Sequence, residues 1–379
     1  MVTLVIADDL TGAAEIAGTA HRLGAKVRLT TSPERLTAED EVVVVATDTR
    51  SMNRSEALDY TRNLVAQIAS LEGREWVGRL FKKTDSVLRG HVVEELEALF
   101  ALGYERALLL PANPSKGRVI RRRIYSIEGR PLRRTNFRND PEFPAWSSDV
   151  VKLLGERVRY VTPRTRGGLK AGISIGEVTS LEDVACHIAR HDGEQTILAG
   201  GADAFRALLE KQGFGEVSTA EFGGLGKRKT LLILGSTMRH NLDEEPLFRR
   251  CRVARSPMPD SVFAGESCEG WIEEACQKFA EAEVLVLNIA QPITREGNKA
   301  LLLRHQMATT AEQIIHRAKP QEVVIEGGAT AYTLLDRLAW HSLAIADEIA
   351  PGVVRLRHAE SGTHLTFKPG SYPWGACFK

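Results

Sequence analysis

Short apolar runs without polar alternation recur along the chain, separated by stretches whose apolar residues return every three to four positions. Leu4-Val5-Ile6, Val42 to Val45 and Leu108-Leu109-Leu110 read as buried strands. The stretches Ala13 to Leu23, Ser55 to Leu71 and His91 to Leu102 read as amphipathic helices. Strands of this kind, alternating with helices, predict a parallel sheet covered on both faces. The second half repeats the pattern, with strands at Leu231 to Leu234, Val284 to Leu287 and Val323 to Ile325 and a long helix from Ala300 to Ala318. Between the halves, Phe222-Gly223-Gly224-Leu225-Gly226-Lys227-Arg228-Lys229 has the composition of an exposed connection. The fold expected is therefore α/β: two α/β/α domains with mainly parallel sheets and an interdomain cleft. Their predicted bounds are 1–222 and 230–379, joined by a linker at 223–229. The segment Arg118 to Arg138 breaks the rhythm, and its Tyr125, Gly129 and Pro131 suggest a hairpin-like excursion.

Composition narrows the function classes. The chain has 379 residues, a size that suits two domains. Lys and Arg total 50 against 49 Asp and Glu, so the uniform positive field of a nucleic-acid coat is absent. The segment 118–138 concentrates eight Arg against one Glu. Tyr125 and Phe137 are too sparse a set of stacking aromatics for RNA, and an anionic substrate or an oligomer partner suits the segment better. Five Cys without a C-x-x-C pair exclude a zinc ribbon and a dense disulfide scaffold. No apolar run approaches the ~20 residues of a membrane span, and the opening residues lack the basic start of a signal peptide. A cytoplasmic enzyme is the expectation, with no nucleic-acid or membrane partner and self-association left open.

Ligands of parallel α/β sheets sit beyond the carboxyl ends of the strands. The first such loop is Ala7-Asp8-Asp9-Leu10-Thr11-Gly12-Ala13. One of its carboxylates can cap the following helix, and the other can face a cleft and bind a hydroxyl. The second loop, Ala46-Thr47-Asp48-Thr49-Arg50-Ser51, offers an arginine fork suited to a carboxylate; the alternative is a structural pair with Asp48 or Asp9. The third, Phe81 to Gly90, gathers Lys82, Lys83, Thr84, Asp85, Ser86 and Arg89 beside a predicted helix start. Thr84, Asp85 and Ser86 are good N-cap types, and a helix start flanked by cations makes an anion site.

In the second half, Gly235-Ser236-Thr237 follows a strand, and Glu326-Gly327-Gly328-Ala329-Thr330 is a strand, glycine turn and helix start of the kind that cradles phosphate. Each could equally be a simple chain reversal. Other motifs are set aside. Gly223 to Thr230 fails the spacing of a phosphate loop. His187 and His191 lie four apart on a predicted helix but lack a nearby carboxylate and read as a solvated face. Cys251, Cys268 and Cys276 read as buried thiols. A dehydrogenase is disfavoured because no Gly-x-Gly-x-x-Gly follows the first strand.

The ordered set Ala-Asp-Asp-Leu-Thr-Gly-Ala at 7–13, Asp48-Thr49-Arg50 and Lys-Lys-Thr-Asp-Ser-Val-Leu-Arg-Gly at 82–90 resembles the four-carbon acid sugar kinase family. The resemblance continues through Gly117-Arg118, Tyr125 to Leu132, Asp140-Pro141 and Ser147-Ser148. It implies an N-terminal domain that binds threonate, erythronate or 3-oxo-tetronate and a C-terminal domain that binds ATP. The implied reaction is transfer of the γ-phosphoryl group to the terminal hydroxyl of the acid, with Mg²⁺ held mostly by phosphate oxygens and water. Asp8, Asp9, Arg50, Lys83, Thr84, Asp85, Ser86, Arg89 and Gly90 would line the acid site. Arg50 would neutralise the carboxylate with help from Lys83 and Arg89, and either Asp9 or Asp85 would accept the proton. The resemblance places nucleotide contacts on Ser236, on Gly327, Gly328, Ala329 and Thr330, and on Gly370, with no protein metal ligand. This chain departs from the family pattern in its second half. It reads Gly-Ser-Thr-Met at 235–238, Gly-Gly-Ala-Thr at 327–330 and Lys-Pro-Gly-Ser-Tyr at 368–372. Ala329 stands where the family often carries a carboxylate. The alternative is a non-catalytic regulatory protein that binds a sugar acid or nucleotide.

Overall fold

The structure, a computed structural model, describes residues 2–32, 39–71, 77–140, 142–217, 222, 224–225, 228–235, 242–291, 299–350, 352–368, 374 and 377–378. They divide into two compact units, one of Met1–Val27 with Ser32–Val217, the other of Arg28–Thr31 with Ser218–Lys379. Up to residue 217 the elements are β1 (Val2–Ala7), α1 (Leu10–Arg22), β2 (Val27–Thr30), β3 (Val42–Ala46), α2 (Arg54–Ser70), β4 (Val77–Lys83), α3 (Val92–Leu99) and β5 (Arg106–Leu110). They continue with β6 (Arg118–Arg121), β7 (Ile124–Ile127), β8 (Arg130–Pro131), α4 (Val150–Leu154), β9 (Val158–Val161), β10 (Gly172–Gly176), α5 (Leu181–His191), β11 (Thr196–Gly200) and α6 (Ala202–Lys211).

The sheet of the first unit has the order β3-β1-β4-β11-β5-β10-β9, and every pairing in it is parallel. β1 and β3 are buried at every position, as uninterrupted apolar runs require when helices cover both faces. The chain leaves β1 to make β3 on one side and β4 on the other, so β1 is a topological switch point. Register aligns Ala7 with Ala46 and with Lys83, which brings the loops after these three strands out at one edge.

The excursion after β5 is a three-stranded antiparallel sheet, β6-β7-β8. Arg122 (φ 48°) and Arg123 (φ 71°) occupy the two central, left-handed positions of its first turn, where Asn-Gly would be the usual signal.

One expectation fails on α5. His187 and His191 are buried, at 0% and 8% exposure, and do not form a solvated face. Their side of the helix carries Val184 and Ile188 into the core. His187 Nε2 meets the Glu177 carbonyl at 2.8 Å, while His187 Nδ1 and His191 Nε2 are buried without partners among the described residues. Burial, chiefly, lowers both imidazole pKa values. The unfolded chain therefore binds more protons than the native one just below the ordinary imidazole pKa of ~6.5. Stability should be full above that pH and fall as pH drops through it. Urea midpoints measured at pH 7.5 and 5.5 should differ, and a His187→Gln/His191→Gln variant should narrow the difference. Equal midpoints in the parent protein would contradict this.

The second unit contains β12 (Thr230–Leu234), α7 (Pro246–Arg250), β13 (Val253–Pro257), α8 (Asp260–Ala264), α9 (Glu269–Glu281), β14 (Val284–Asn288) and α10 (Lys299–Ala318). β15 (Glu322–Glu326), α11 (Gly328–Arg337), β16 (Ser342–Ala350), β17 (Val353–His358) and β18 (His364–Lys368) complete it. The order β13-β14-β12-β15-β18 is parallel, and β17, β16 and β2 extend it antiparallel. The sequence places residues 28–31 in the first domain, but Arg28 to Thr30 pair with Ala344 to Ser342 of β16. The four residues of β2, Val-Arg-Leu-Thr, carry no mark of which sheet receives them. The stretch 223–229 falls inside the second unit, whose division from the first lies at Val217/Ser218. None of the five cysteines forms a disulfide among the described residues; Cys268 is buried, while Cys251 and Cys276 are half-buried rather than buried as expected. No helix among the described residues is long and apolar enough to cross a membrane.

Candidate active site

The loops after β1, β3 and β4 build one ionic cluster. Asp9 caps α1, its Oδ1 accepting from Gly12 N at 2.9 Å. Asp8 turns the other way and takes the fork of Arg50: Nε to Oδ2 at 2.9 Å and Nη2 to Oδ1 at 2.8 Å. Arg50 Nη2 also donates to Asp9 Oδ1 at 2.9 Å, and Nη1 lies 3.6 Å from Asp85 Oδ1. Arg50 is thus committed to three aspartates and does not present its fork outward.

Glycine shapes this corner. A Cβ on Gly12 would sit 2.6 Å from Asp9 Oδ1 and 3.1 Å from Lys83 Nζ. Gly90 (φ 91°) lies where a Cβ would come within 3.2 Å of Asp8 Oδ2. Both close approaches need the missing side chain.

Asp85 organises the third loop. Its Oδ2 accepts from Val87 N at 3.0 Å and Arg89 N at 3.2 Å, and its Oδ1 accepts from Arg89 Nη2 at 2.9 Å. The helix expected to start beside residues 84–86 begins later, at Val92, with His91 in the cap position and no side-chain cap bond. Thr84, Asp85 and Ser86 therefore belong to a preceding turn rather than to the helix cap. Arg89 also reaches Asp140 at 3.3 Å and lies over the Phe137 ring at 5.6 Å. Burial alone would push the Asp85 carboxyl up, but Arg50 and Arg89 outweigh it and hold the group well below the usual carboxylate range. Asp8 is also held low, by Arg50 and Lys82 against the opposing effect of burial.

Asp9 differs. Both its hydrogen bonds fall on Oδ1; Oδ2 takes none among the described residues, and the side chain is 18% exposed. It is the carboxylate of the cluster with acceptor capacity left over.

Sequence reasoning found the two lysines of the third loop but missed their acidic partners, Glu15 and Glu95, and Lys116. Lys83 is 4% exposed, donates to Thr84 O at 3.0 Å and lies 3.6 Å from Glu15, which also pairs with Lys116. Beneath the cluster, buried Lys82 faces Glu95 at 3.3 Å, and Glu95 accepts from Thr49 Oγ1, itself 2.9 Å from Thr47 Oγ1. Glu95 carried a readable signal: it is three residues after Val92 and one before Leu96, on the apolar face of α3.

In the second unit, β12 is the switch point, with β14 on one side and β15 on the other. Gly235 N donates to Glu326 O at 3.1 Å, and Gly327 N donates to Lys368 O at 3.0 Å, so the ends of β12, β15 and β18 lie together. A Cβ on Gly235 would meet Thr330 Oγ1 at 2.5 Å. Gly327 (φ 105°) is the cap of α11 and supplies no side-chain bond, which leaves the first amides of α11, at Gly328, Ala329 and Thr330, without a side-chain acceptor among the described residues. Lys368 and Glu326 form a fully buried pair at 3.7 Å, and the Lys368 ammonium stands 4.7 Å over Trp374. Ser236 and Gly370 lie outside the described residues.

The model of a sugar-binding N-terminal domain matches residues 3–198, and that of a nucleotide-binding C-terminal domain matches 258–372. The chain belongs to the four-carbon acid sugar kinase family. Within this family, a D-threonate kinase of Bordetella bronchiseptica is 31% identical over 92% of this chain and 88% of its own length. A 3-oxo-tetronate kinase of Methylobacterium radiotolerans is 24% identical over 93% of this chain and 92% of its own. Among solved structures, a Haemophilus influenzae protein of the DUF1537 family model superposes with a TM-score of 0.73 at 17% identity, covering 99% of this chain and 98% of its own. That likeness bears on the fold alone. The sugar-binding model spans all three loops of the ionic cluster, and the nucleotide-binding model spans Gly327 to Thr330.

Proposed function

We propose that the protein transfers the γ-phosphoryl group of ATP to the terminal hydroxyl of a four-carbon sugar acid. In this reading the first unit binds the acid and the second the nucleotide. The observation that carries it is Asp9: a switch-point carboxylate with one oxygen fixed by Gly12 and Arg50 and the other open, beside lysine and arginine side chains. Such a group can orient a substrate hydroxyl and accept its proton as the phosphoryl group arrives. Asp85 suits that role poorly, because both of its oxygens are occupied and its charge is strongly stabilised. Arg50 acts through the aspartates it aligns.

On the nucleotide side, the amides at the start of α11 and the close approach at Gly235 suit a phosphate chain. The start of α11 offers amides and the Thr330 hydroxyl, and its nearest carboxylate, Glu326, is paired with Lys368. A Mg²⁺ ion accompanying the nucleotide would therefore be held by phosphate oxygens and water, and would neutralise charge on the phosphates.

ADP release measured with ATP and a panel of D-threonate, erythronate and 3-oxo-tetronate tests the reading. Turnover with at least one acid is expected. Tight binding of an acid with no turnover on any would favour a regulatory binding protein instead.

A further inference from the structure

The cations of the cluster are almost all committed to carboxylates. Arg50 serves Asp8, Asp9 and Asp85; Arg89 serves Asp85 and Asp140; Lys83 and Lys116 share Glu15; Lys82 faces Glu95. Arg118 is the exception among the described residues of this corner. Its hydrogen bond goes to a neutral oxygen, Ser86 Oγ, so its charge is not matched by a bonded carboxylate.

Arg118 opens β6 of the small sheet, and Tyr125 lies across from Ile120 on β7. The Tyr125 side chain is 0% exposed, and its hydroxyl has no partner among the described residues. Arg118 and Asp85 are within electrostatic reach of that hydroxyl. Burial pushes the phenol above its ordinary range, so it remains a proton donor. Thr84 Oγ1, next to Asp85 in the chain, is likewise buried without a partner among the described residues. A buried unpaired hydroxyl destabilises the fold, and a ligand that accepts from it removes that cost.

We propose that Arg118 and Tyr125 form the carboxylate-recognising wall of the acid site: the free arm of Arg118 pairs with the acid's carboxylate, and the Tyr125 hydroxyl donates to it or to the adjacent hydroxyl. This rests on the proposed sugar-acid kinase function and assigns the carboxylate grip to the small sheet rather than to Arg50. The arginine-rich excursion is then a specificity element that distinguishes an acid from the corresponding neutral polyol.

Tyr125→Phe separates this from a packing role. Removing an unpaired buried hydroxyl should leave the Tm of the ligand-free protein unchanged or raised. The same change should weaken D-threonate binding, measured by calorimetry without nucleotide, by roughly tenfold, the effect of one lost hydrogen bond. Arg118→Ala should raise the KM for the acid by about a hundredfold, as loss of a charge-assisted bond does. Arg118→Lys, which keeps the charge without the fork, should fall between. The preference for threonate over threitol should shrink in Arg118→Ala. Unchanged affinity in Tyr125→Phe and Arg118→Ala, with the parent protein binding the acid normally, would overturn the assignment and leave the kinase reading standing. Failure of the parent protein to bind any acid of the panel would remove both.

Discussion

Asp9→Asn should lower kcat by roughly a thousandfold, the scale of a lost general base, while leaving the fold intact. The substitution is chosen because asparagine is as good an N-cap as aspartate. Its side-chain oxygen can still accept from Gly12 N, now at 2.9 Å, so α1 keeps its start. What disappears is the negative charge and the basicity at Oδ2. The KM for the acid should change much less than kcat, because the amide still hydrogen-bonds a hydroxyl in the ground state. Thermal unfolding should shift by no more than a few degrees. Asp85→Asn should behave in the opposite way. Asparagine offers one acceptor oxygen where Asp85 uses two, so either the bonds from Val87 N and Arg89 N or the bond from Arg89 Nη2 is lost together with the charge, the 84–90 turn loosens and stability falls along with activity. Steady-state kinetics and thermal melts on the two variants decide between them. A Asp9→Asn enzyme with unchanged kcat/KM removes Asp9 from the chemistry.

The contrast between these two aspartates was not readable in the sequence. Both follow strands and both sit among hydroxyls and cations, so loop position alone left them equivalent. Burial and bond count separate them, and these depend on Arg50 arriving from another strand end. The strands themselves were legible because buried parallel strands are written as uninterrupted apolar runs, as in Val42 to Val45. The gathering of three loops at one edge followed from that, since parallel neighbours end on the same side. Partner choice was harder. An exposed-looking arginine fork and a saturated one have the same sequence, and the acidic partners of Lys83 and Lys82 come from helices 68 and 13 residues away along the chain, at Glu15 and Glu95. The small sheet was legible as a hairpin-like excursion through Tyr125, Gly129 and Pro131, but its first turn was not: Arg122 and Arg123 hold left-handed conformations normally signalled by Asn or Gly. The same ambiguity misread α5, where histidine was taken as polar although an imidazole four residues from another can line an apolar face.

The second large effect follows from the saturation of Arg50. Arg50→Ala should destabilise the protein by about 3–5 kcal/mol, the cost of removing one partner from a buried ionic group. The guanidinium is 14% exposed and is the shared counter-charge of Asp8 and Asp9, which are 2% and 18% exposed. Without it, the carboxylates of Asp8, Asp9 and Asp85 face one another with one fewer cation between them. The depressed pKa of Asp8 would rise, since Arg50 is the foremost of the groups that hold it down against burial. The loss of stability should accordingly be smaller at pH 4 than at pH 7, because a protonated Asp8 no longer needs a counter-charge. Arg50→Lys should recover only part of the loss, since an ammonium cannot reproduce the two-pronged contact with Asp8. Urea denaturation at the two pH values checks each step. If Arg50→Ala keeps the parent midpoint and raises only the KM for the acid, then Arg50 binds the substrate carboxylate directly. Its aspartate contacts would then be a resting arrangement that the acid displaces.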